Sequence, residues 1–417
     1  MCQDVCPTYR ITGDENDVAR SRVRLARLVL EGRYRWGEDE LTEHLNSCLL
    51  CKACVAQCPA NVPTDEIMME ARSLTSRVKG LPPFNRLAYR GVFSHNRRLD
   101  LLTRIIRFYQ RSGMNGLVRR SGFLKLLKDW GKAEDLLPEM PARSLRQMLP
   151  ELLAPVTAPS CTVVYFAGCA VNFFYSRMGA ASIRLLQSGK CAVHVPEVAC
   201  CGGPHQSGGD FEEARRLARH NIDQALALRP DFIVSDCATC GSVLKEYEGL
   251  LAEDPVYAEK ARDFSKMARD INEIAVELSL ADGCRELAGT VSYHDPCHLV
   301  RGQKIIDAPR RILRSIPGLE FREMKEAAMC CGGAGSYGAL HPDMSRQILD
   351  RKMVNFMKTG SHYLATSCPS CAMQLEYGLR RSGIEGQVVH PVELLVRALE
   401  LEQPVRKGRG KATEVRC

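Results

Sequence analysis

The sequence of 417 residues has no long hydrophobic run and few aromatic residues. No stretch of 18 or more apolar residues occurs, so we expect no membrane-spanning helix. The start, MCQDVCPTYR, lacks the basic region and apolar stretch of a secretory signal. Aromatic residues make up only 6% of the chain and no nucleic-acid-binding motif is present, which excludes nucleic acid as an expected partner.

What the chain has in excess is cysteine. Twenty cysteines without a secretory signal argue against a disulfide scaffold and for metal binding in a reducing compartment. We therefore expect a cytoplasmic protein, with a peripheral position on the inner face of the cytoplasmic membrane as a further hypothesis. A length of 417 residues allows two or three domains, each with its own core.

One group of cysteines has the spacing of a bacterial ferredoxin. Cys48, Cys51, Cys54 and Cys58 form a C-x-x-C-x-x-C-x-x-x-C-P run, in which three cysteines bind one [4Fe–4S] cluster and the fourth ligates another. Thiolates suit such clusters because ligand and metal are both soft. A structural zinc site is the alternative, but it would normally use two C-x-x-C pairs further apart.

A second copy of this motif is incomplete. Cys2-x-x-x-Cys6-Pro7 is its last half, and we expect the native chain to extend upstream of Met1 with the two missing cysteines. If the fourth cysteine of each motif crosses over, one complete cluster has the ligands Cys48, Cys51, Cys54 and Cys6. The other cluster then retains only Cys2 and Cys58.

The remaining motif cysteines form two near-identical frames. Each frame is one cysteine, an adjacent cysteine pair followed by two glycines, and then a C-x-x-C. The gaps are 30 and 35 residues in the first frame and 32 and 36 in the second. The frames consist of Cys169, Cys200, Cys201, Cys237 and Cys240, and of Cys297, Cys330, Cys331, Cys368 and Cys371.

Adjacent thiolates cannot easily share one iron of a compact cubane, because neighbouring side chains diverge. Five thiolates in a frame also exceed what a cubane needs, which favours an opened or unusual cluster. The Gly-Gly after each pair allows positive φ and a close approach of the backbone, whose N–H groups can hydrogen-bond to sulfur.

Strand-like and helix-like segments alternate around both frames, which predicts α/β repeats of mostly parallel strands. Strands are expected at 162–166 and 290–294, before the first cysteine of each frame, and at 231–234 and 362–365, before each C-x-x-C. Helices are expected at 211–228 and 342–357. The predicted parts are a helical ferredoxin domain (1–75), a helical basic connector (76–159), the two repeats (160–280 and 281–400) and a basic tail (401–417).

The connector is strongly basic between residues 84 and 130, with eleven Lys and Arg against two acids. Leu102, Ile105, Ile106 and Tyr109 form an apolar stripe at helical spacing, and residues 123–130 repeat the pattern. We expect the stripe to pack on the protein's own core, with docking to an anionic membrane or an acidic partner as the other hypothesis.

The chain resembles the cysteine-rich CCG domain family over nearly its whole length. This family includes the iron–sulfur subunits of glycolate oxidase, the C subunit of anaerobic glycerol-3-phosphate dehydrogenase, lactate-utilisation proteins and D-type heterodisulfide reductase subunits. The resemblance lies in Pro7-Thr8-Tyr9, Gly168-Cys169, the two Cys-Cys-Gly-Gly turns and His294-Asp295-Pro296-Cys297-His298. It implies a helical ferredoxin domain followed by two CCG domains, each holding a site built by its five cysteines, such as the noncubane [4Fe–4S] cluster of heterodisulfide reductases.

The resemblance implies the iron–sulfur electron-transfer subunit of a 2-hydroxyacid oxidoreductase. No flavin or nicotinamide site is expected in this chain, so the electrons would come from a separate FAD-linked subunit and pass to quinone or another acceptor. A disulfide reductase with catalytic CCG cysteines and a zinc-stabilised scaffold are the alternatives. His294 and His298 beside Cys297 are expected to be packing residues, although they could donate hydrogen bonds or protons to a cluster.

Overall fold

The computed structural model describes residues 1–80, 86–120 and 134–401 and contains a helical N-terminal part followed by two α/β repeats. This is the fold class predicted from the sequence. The first helices are α1 (Cys2–Val5), α2 (Pro7–Thr12), α3 (Ala19–Leu30), α4 (Asp39–Asn46), α5 (Ala53–Ala56), α6 (Thr64–Lys79), α7 (Asn96–Arg111), α8 (Met114–Arg120) and α9 (Leu145–Leu152). A 3₁₀ turn (Glu15–Asp17) precedes α3, and a π-helix (Leu87–Phe93) precedes α7.

Repeat 1 is a parallel four-stranded sheet with helices. Its elements are β1 (Cys161–Tyr165), α10 (Cys169–Phe173), α11 (Ser176–Ser188), β2 (Cys191–His194), α12 (Gly203–Ser207), α13 (Phe211–Leu226), β3 (Phe232–Ser235), α14 (Ala238–Lys245), α15 (Tyr247–Leu250), α16 (Ala258–Met267), β4 (Ala268–Asp270) and α17 (Ile271–Glu277). The strand order is β2-β1-β3-β4. After β2 is placed on one side of β1, the chain crosses back and places β3 and β4 on the other side, so the strand order reverses at β1.

Repeat 2 has the same topology. Its elements are β5 (Gly289–His294), a second π-helix (His298–Gly302), α18 (Asp307–Ser315), β6 (Leu319–Phe321), α19 (Tyr337–Leu340), α20 (Pro342–Met357), β7 (Tyr363–Thr366), α21 (Pro369–Ser382), β8 (Gln387–Val389) and α22 (Pro391–Ala398). The order β6-β5-β7-β8 is again all parallel. The four strands predicted from the sequence are present within one residue at each end, whereas β2, β4, β6 and β8 were not predicted.

The strand order explains where the cysteines lie. In open parallel sheets, ligands bind beyond the carboxyl ends of the strands where the strand order reverses. Cys169 follows β1 and Cys237 follows β3, and these are the two central strands of the first sheet. Cys297 and Cys368 follow β5 and β7 in the same way.

The two repeats share one hydrophobic core. Buried side chains from both repeats belong to a single packed cluster, including Val163 and Ile233 of repeat 1 and Leu364 and Leu395 of repeat 2. Polar contacts cross the same interface: the Ala238 N–H donates to the Ser367 carbonyl (2.9 Å). The cysteine-bearing ends of both sheets are therefore held together.

The connector differs from its prediction along α7. Its proline-containing end, residues 138–159, contains α9, whose Leu145 is fully buried in the repeat core. The expectation that the α7 stripe packs inward is wrong for Leu102 and Ile105, because α7 buries Leu99 and Thr103 instead. Its exposed apolar residues are Leu101, Leu102, Ile105 and Phe108. The predicted second stripe at 123–130 and nearly all of the tail at 401–417 lie outside the described residues.

Within residues 1–80, 86–120 and 134–401, no helix combines the length and the apolar character needed to cross a bilayer.

A buried ion pair attaches the connector to repeat 1, and we predict that Asp210→Asn weakens this attachment. Arg90 donates two hydrogen bonds to Asp210 (2.7 and 2.8 Å), which also accepts from the Glu213 N–H at the start of α13. Burial alone would raise the pKa of Asp210, but the hydrogen bonds from Arg90 and the nearby imidazole of His205 (3.9 Å) hold this pKa well below its usual range. Because Arg90 is partly exposed, we expect a loss of about 1–2 kcal/mol.

The midpoint of urea unfolding, followed by circular dichroism, measures this loss. Glu212→Gln is the matched control, because Glu212 is exposed and lies 3.9 Å from the same arginine. The native pKa is depressed, so the stabilisation is present above the ordinary carboxyl pKa of about 3.9 and is lost as the pH falls below it. Equal midpoints for the two variants at pH 7 would contradict the prediction.

Candidate metal centres

Four of the six N-terminal motif cysteines line one cavity. This cavity has a volume of roughly 400 Å³, open solvent included, and its wall contains Cys6, Cys48, Cys51 and Cys54. Cys48 and Cys51 lie in the loop between α4 and α5, Cys54 lies in α5, and Cys6 lies between α1 and α2. The loop makes its turn at Leu50 and Lys52, which have positive φ values of 54° and 57°.

Cys2 and Cys58 lie elsewhere. Cys2 begins α1 and Cys58 follows α5, and these two short helices pack against each other, but neither cysteine lines the cavity. The structure thus brings together the four cysteines that the crossover prediction assigns to one cluster. The assignment of these ligands, and of Cys2 and Cys58 to a second cluster, remains a prediction.

Buried arginines hold the cavity wall, and sequence reasoning missed them. Arg22 is 2% exposed and donates to the His44 carbonyl (2.8 Å) and the Ser47 hydroxyl (2.8 Å). Its guanidinium also lies 4.0 Å from the Cys6 sulfur. Arg72 donates to the Cys48 carbonyl (2.6 Å). The sequence shows Arg22 only as one of several arginines in α3, so no local signal marks it as buried.

Two thiols of this cavity, Cys51 and Cys54, are poor acids in the absence of metal. Burial raises the pKa of Cys54 to about 11, and the neighbouring Cys48 raises it further. Burial also raises the pKa of Cys51, and the nearby Cys330 is the next largest cause of this increase. Such groups ionise when a cation replaces the proton, so metal binding here should release protons.

The five cysteines of each frame lie together. Neighbouring thiols shift one another's pKa, and these interactions link Cys169 to Cys200, Cys200 to Cys201, Cys201 to Cys240 and Cys240 to Cys237. In repeat 2 they link Cys297 to Cys330, Cys330 to Cys331, Cys331 to Cys371 and Cys371 to Cys368. The same kind of interaction between Cys237 and Cys368 joins the two sets across the interface. We call these ten residues the thiol line.

Three sulfurs of the thiol line are favoured as thiolates. The neighbouring thiol of Cys200, and then that of Cys240, hold the pKa of Cys201 below its usual range. Neighbouring thiols lower the pKa of Cys330 and of Cys368 in the same way. A run of thiols with selected thiolates is a donor set for a soft metal such as iron.

The Gly-Gly turns have the geometry expected of them, but only in part. The first glycine of each pair takes positive φ, +95° at Gly202 and +87° at Gly332. The Gly332 N–H donates to the Cys330 sulfur (3.5 Å). The second glycines have no positive φ and instead allow close packing, since a Cβ on Gly333 would lie 3.1 Å from Gln374.

Gly168 keeps space for a thiol, and we predict that Gly168→Ala disrupts the repeat 1 site alone. A Cβ at Gly168 would lie 2.9 Å from the Cys240 sulfur, closer than real Cβ contacts. The φ of −57° suits alanine, so the effect is purely steric. We expect the iron that depends on Cys169 and Cys240 to be lost. Gly249→Ala, with open space around its Cβ, should keep full iron content; a full complement in both variants would disprove the idea.

The N-terminal cavity adjoins repeat 2. Cys51 and Cys330 belong to one small apolar cluster, with Cys297 packed against it. Arg301 spans the junction by donating to the Cys51 carbonyl (3.1 Å) and the Ala328 carbonyl (2.7 Å). The Tyr337 hydroxyl donates to the Ser47 carbonyl (2.9 Å). The cavity and the thiol line are therefore neighbouring parts of one buried region.

The donor sets present fit [4Fe–4S] clusters. Four cysteines line the N-terminal cavity, and the five cysteines of each repeat are linked pair by pair to their neighbours. All ten thiol-line residues are buried or half-buried, which suits a site that excludes water. The cysteines Cys161 and Cys191, outside both frames, are partners in β1 and β2 with sulfurs 3.3 Å apart at the opposite end of the sheet.

Three protein-family models match parts of this chain. The chain matches the models of a 4Fe-4S dicluster domain (residues 1–62), the linker region of the glycolate oxidase iron-sulfur subunit (81–137) and a cysteine-rich domain, named CCG, twice (163–245 and 291–376). A probable glycolate oxidase iron-sulfur subunit of Bacillus subtilis is 34% identical over 409 residues, covering 95% of this chain and 92% of the relative.

Two further relatives are similar. The glycolate oxidase iron-sulfur subunit of Escherichia coli is 29% identical, covering 96% of this chain and 93% of the relative. Lactate utilization protein A of a Geobacillus species is 29% identical over 56% of this chain and 98% of its own length.

The fold and the cysteine sites thus define an iron–sulfur protein with a dicluster domain and two CCG domains, which carries [4Fe–4S] clusters as predicted. More specifically, the chain belongs to the family of glycolate oxidase iron–sulfur subunits. The prediction of an oxidoreductase subunit, which works with at least one partner, is confirmed.

Proposed function

We propose that the chain transfers electrons from an FAD-linked partner that oxidises a 2-hydroxyacid, glycolate or D-lactate, to quinone or another acceptor. The names of the relatives support the substrate class. The observation that carries the proposal is the series of neighbouring cysteines from the N-terminal cavity, past Cys51 and Cys330, along the thiol line to Cys169. When bound, [4Fe–4S] clusters accept and release single electrons.

The chain's own residues keep this series fixed and dry. Arg301 and Tyr337 hold the loop with Cys51 against repeat 2, and Lys52 binds Glu246 of repeat 1 (3.0 Å). The Arg72 guanidinium donates to the Ser207 carbonyl (2.9 Å), just after the first Gly-Gly turn. Several contacts, and not one flexible segment, therefore fix the distance between the N-terminal cavity and the thiol line.

An exposed surface lies near the Cys169 end of the series. Helix α7 packs against α10, whose first residue is Cys169. Its outer face presents Leu101, Leu102, Ile105 and Phe108 among arginines. An apolar face with a basic rim suits the surface of an anionic bilayer, where quinone is dissolved. We propose that this face of α7 rests on the membrane.

The complex isolated without oxygen tests the proposed electron transfer. Adding glycolate or D-lactate should bleach the visible iron–sulfur absorption of the chain together with its flavoprotein, but not that of the chain alone. No bleaching by either acid, together with a new paramagnetic species when a disulfide is added to the oxidised chain, would favour a disulfide reductase instead. A colourless, zinc-containing protein would contradict both.

Flotation with vesicles tests the membrane proposal. We expect the chain to float with phosphatidylglycerol vesicles, less with phosphatidylcholine vesicles, and little after Ile105→Glu with Phe108→Glu. Val256→Glu is the control, because Val256 is an equally exposed apolar residue of repeat 1, away from α7. Equal flotation of all three proteins would place the contact elsewhere.

A further inference from the structure

We propose that His294 is an iron ligand in repeat 2, together with Cys331 and Cys371, so that this site binds its metal through nitrogen as well as sulfur. The inference rests on the proposed function in one respect, namely that the five cysteines of repeat 2 hold an iron–sulfur cluster. It goes beyond that function because neither the cysteine frame nor the spacing assigns a nitrogen ligand to either repeat.

The geometry places three donor atoms around one point. A ring nitrogen of His294 and the sulfurs of Cys331 and Cys371 all lie within 4.8 Å of one another. Two ligands of one tetrahedral metal ion are about 3.6 Å apart, given metal–ligand distances of roughly 2.0–2.3 Å. Small side-chain shifts therefore bring all three atoms onto one metal ion.

The imidazole of His294 is buried and poorly satisfied. Its exposed fraction is 0%, and neither ring nitrogen makes a hydrogen bond of normal geometry. The Ala327 carbonyl lies near one nitrogen, but it already accepts from the Asp295 N–H (3.1 Å) and the Lys352 ammonium (3.0 Å). Burying polar groups without partners is costly, so a ligand is expected at this position.

The imidazole of His294 has no counterpart at the same position of repeat 1. The residue three positions before the first cysteine of each frame is Phe166 in repeat 1 and His294 in repeat 2, and both are fully buried. A phenyl ring fills this place in repeat 1, so packing alone does not require an imidazole. The repeats are thus chemically different although their cysteine frames match.

The consequence concerns reduction potential. A neutral imidazole adds no negative charge to a cluster, and sites in which histidine replaces cysteine have higher potentials than all-cysteine sites. We infer that repeat 2 has a higher potential than it would have with sulfur ligands alone, and that it is the more readily reduced of the two repeats.

Pulsed EPR on the full chain, isolated without oxygen and labelled with ¹⁵N-histidine, tests the inference. The signal lost in Cys331→Ser identifies the repeat 2 cluster, and we expect it to carry a strong coupling to ¹⁵N. His294→Phe, which installs the residue of repeat 1, should abolish this coupling. His294→Cys should bind as much iron as the native protein. It should lack the ¹⁵N coupling, and the repeat 2 cluster should have a lower midpoint potential than in the native protein.

His298→Ala is the matched control. His298 lies next to Cys297, with its Nδ1 3.5 Å from that sulfur, and the corresponding residue of repeat 1 is Ala170. The strong coupling should persist in this variant. A repeat 2 signal without strong ¹⁵N coupling would overturn the inference and leave the proposed function intact. The absence of any signal that depends on Cys331 would overturn both. Circular dichroism confirms that each variant is folded.

Discussion

Replacing Cys6 by serine should remove one complete [4Fe–4S] cluster from the protein, whereas replacing Cys58 should leave that cluster in place. Both residues occupy the same position of their motifs, the last cysteine before a proline. Only Cys6 lines the cavity with Cys48, Cys51 and Cys54. A cubane needs four ligands, so the loss of Cys6 leaves three, and we expect about four iron atoms per chain to be lost.

Iron and acid-labile sulfide, measured on protein purified without oxygen, give this number directly. The EPR signal of the reduced protein identifies which cluster is missing. The Cys6 sulfur lies 3.1 Å from the Thr8 hydroxyl and near Arg22, so Thr8→Val is a useful companion. This variant should retain the cluster with a changed potential. An intact signal in Cys6→Ser, or its loss in Cys58→Ser, would refute the crossover assignment.

The sequence predicted the parts of this protein that depend on spacing. Strands β1, β3, β5 and β7 are short runs of β-branched and aromatic residues directly before a cysteine, and a parallel sheet gathers their carboxyl ends. The duplicated frame then predicts two similar sites. Edge strands such as β4 (Ala-Arg-Asp) and β6 (Leu-Glu-Phe) carry no such pattern, because three residues are too few to show an alternation.

What could not be predicted depends on contacts between distant segments. Arg301 reaches Cys51 across 250 residues, and Arg72 reaches Ser207 across 135. In the sequence these are ordinary surface-type residues, and only packing makes them buried supports of the metal sites. The expectation that the α7 stripe packs on the core was wrong for a related reason. Periodicity shows that a helix has an apolar face, but it does not show whether another part of the chain covers that face.

The two repeats also differ in buried charge, and exchanging this charge should shift their potentials. Lys352 on α20 is fully buried and donates to the carbonyls of Glu326 (2.6 Å) and Ala327 (3.0 Å), behind the Cys330-Cys331 pair. The corresponding residue on α13 is neutral: Asn221 donates to the Cys200 carbonyl (3.0 Å). Burial lowers the pKa of Lys352 to about 8, so it remains a cation at neutral pH.

A buried cation stabilises the added electron of a reduced cluster, so Lys352→Asn should lower the midpoint potential of repeat 2. A unit charge about 10 Å away at an effective dielectric of about 20 contributes roughly 1.7 kcal/mol. This equals roughly 70 mV for a one-electron couple. Spectroelectrochemical titration of the signal assigned to repeat 2 measures the shift. Lys358→Asn is the control, because Lys358 is an exposed lysine directly after the end of α20.

The pH dependence gives an independent measurement of the same charge. Because the pKa of Lys352 is about 8, the native midpoint of repeat 2 should fall as the pH rises through that value, while Lys352→Asn should show no such step. The reciprocal variant Asn221→Lys should raise the potential of repeat 1 by a similar amount if its fold accommodates the cation. A native midpoint that is independent of pH between 7 and 9, together with an unshifted Lys352→Asn, would show that this ammonium does not act on the cluster. Any difference in potential between the two repeats would then have to come from their ligands.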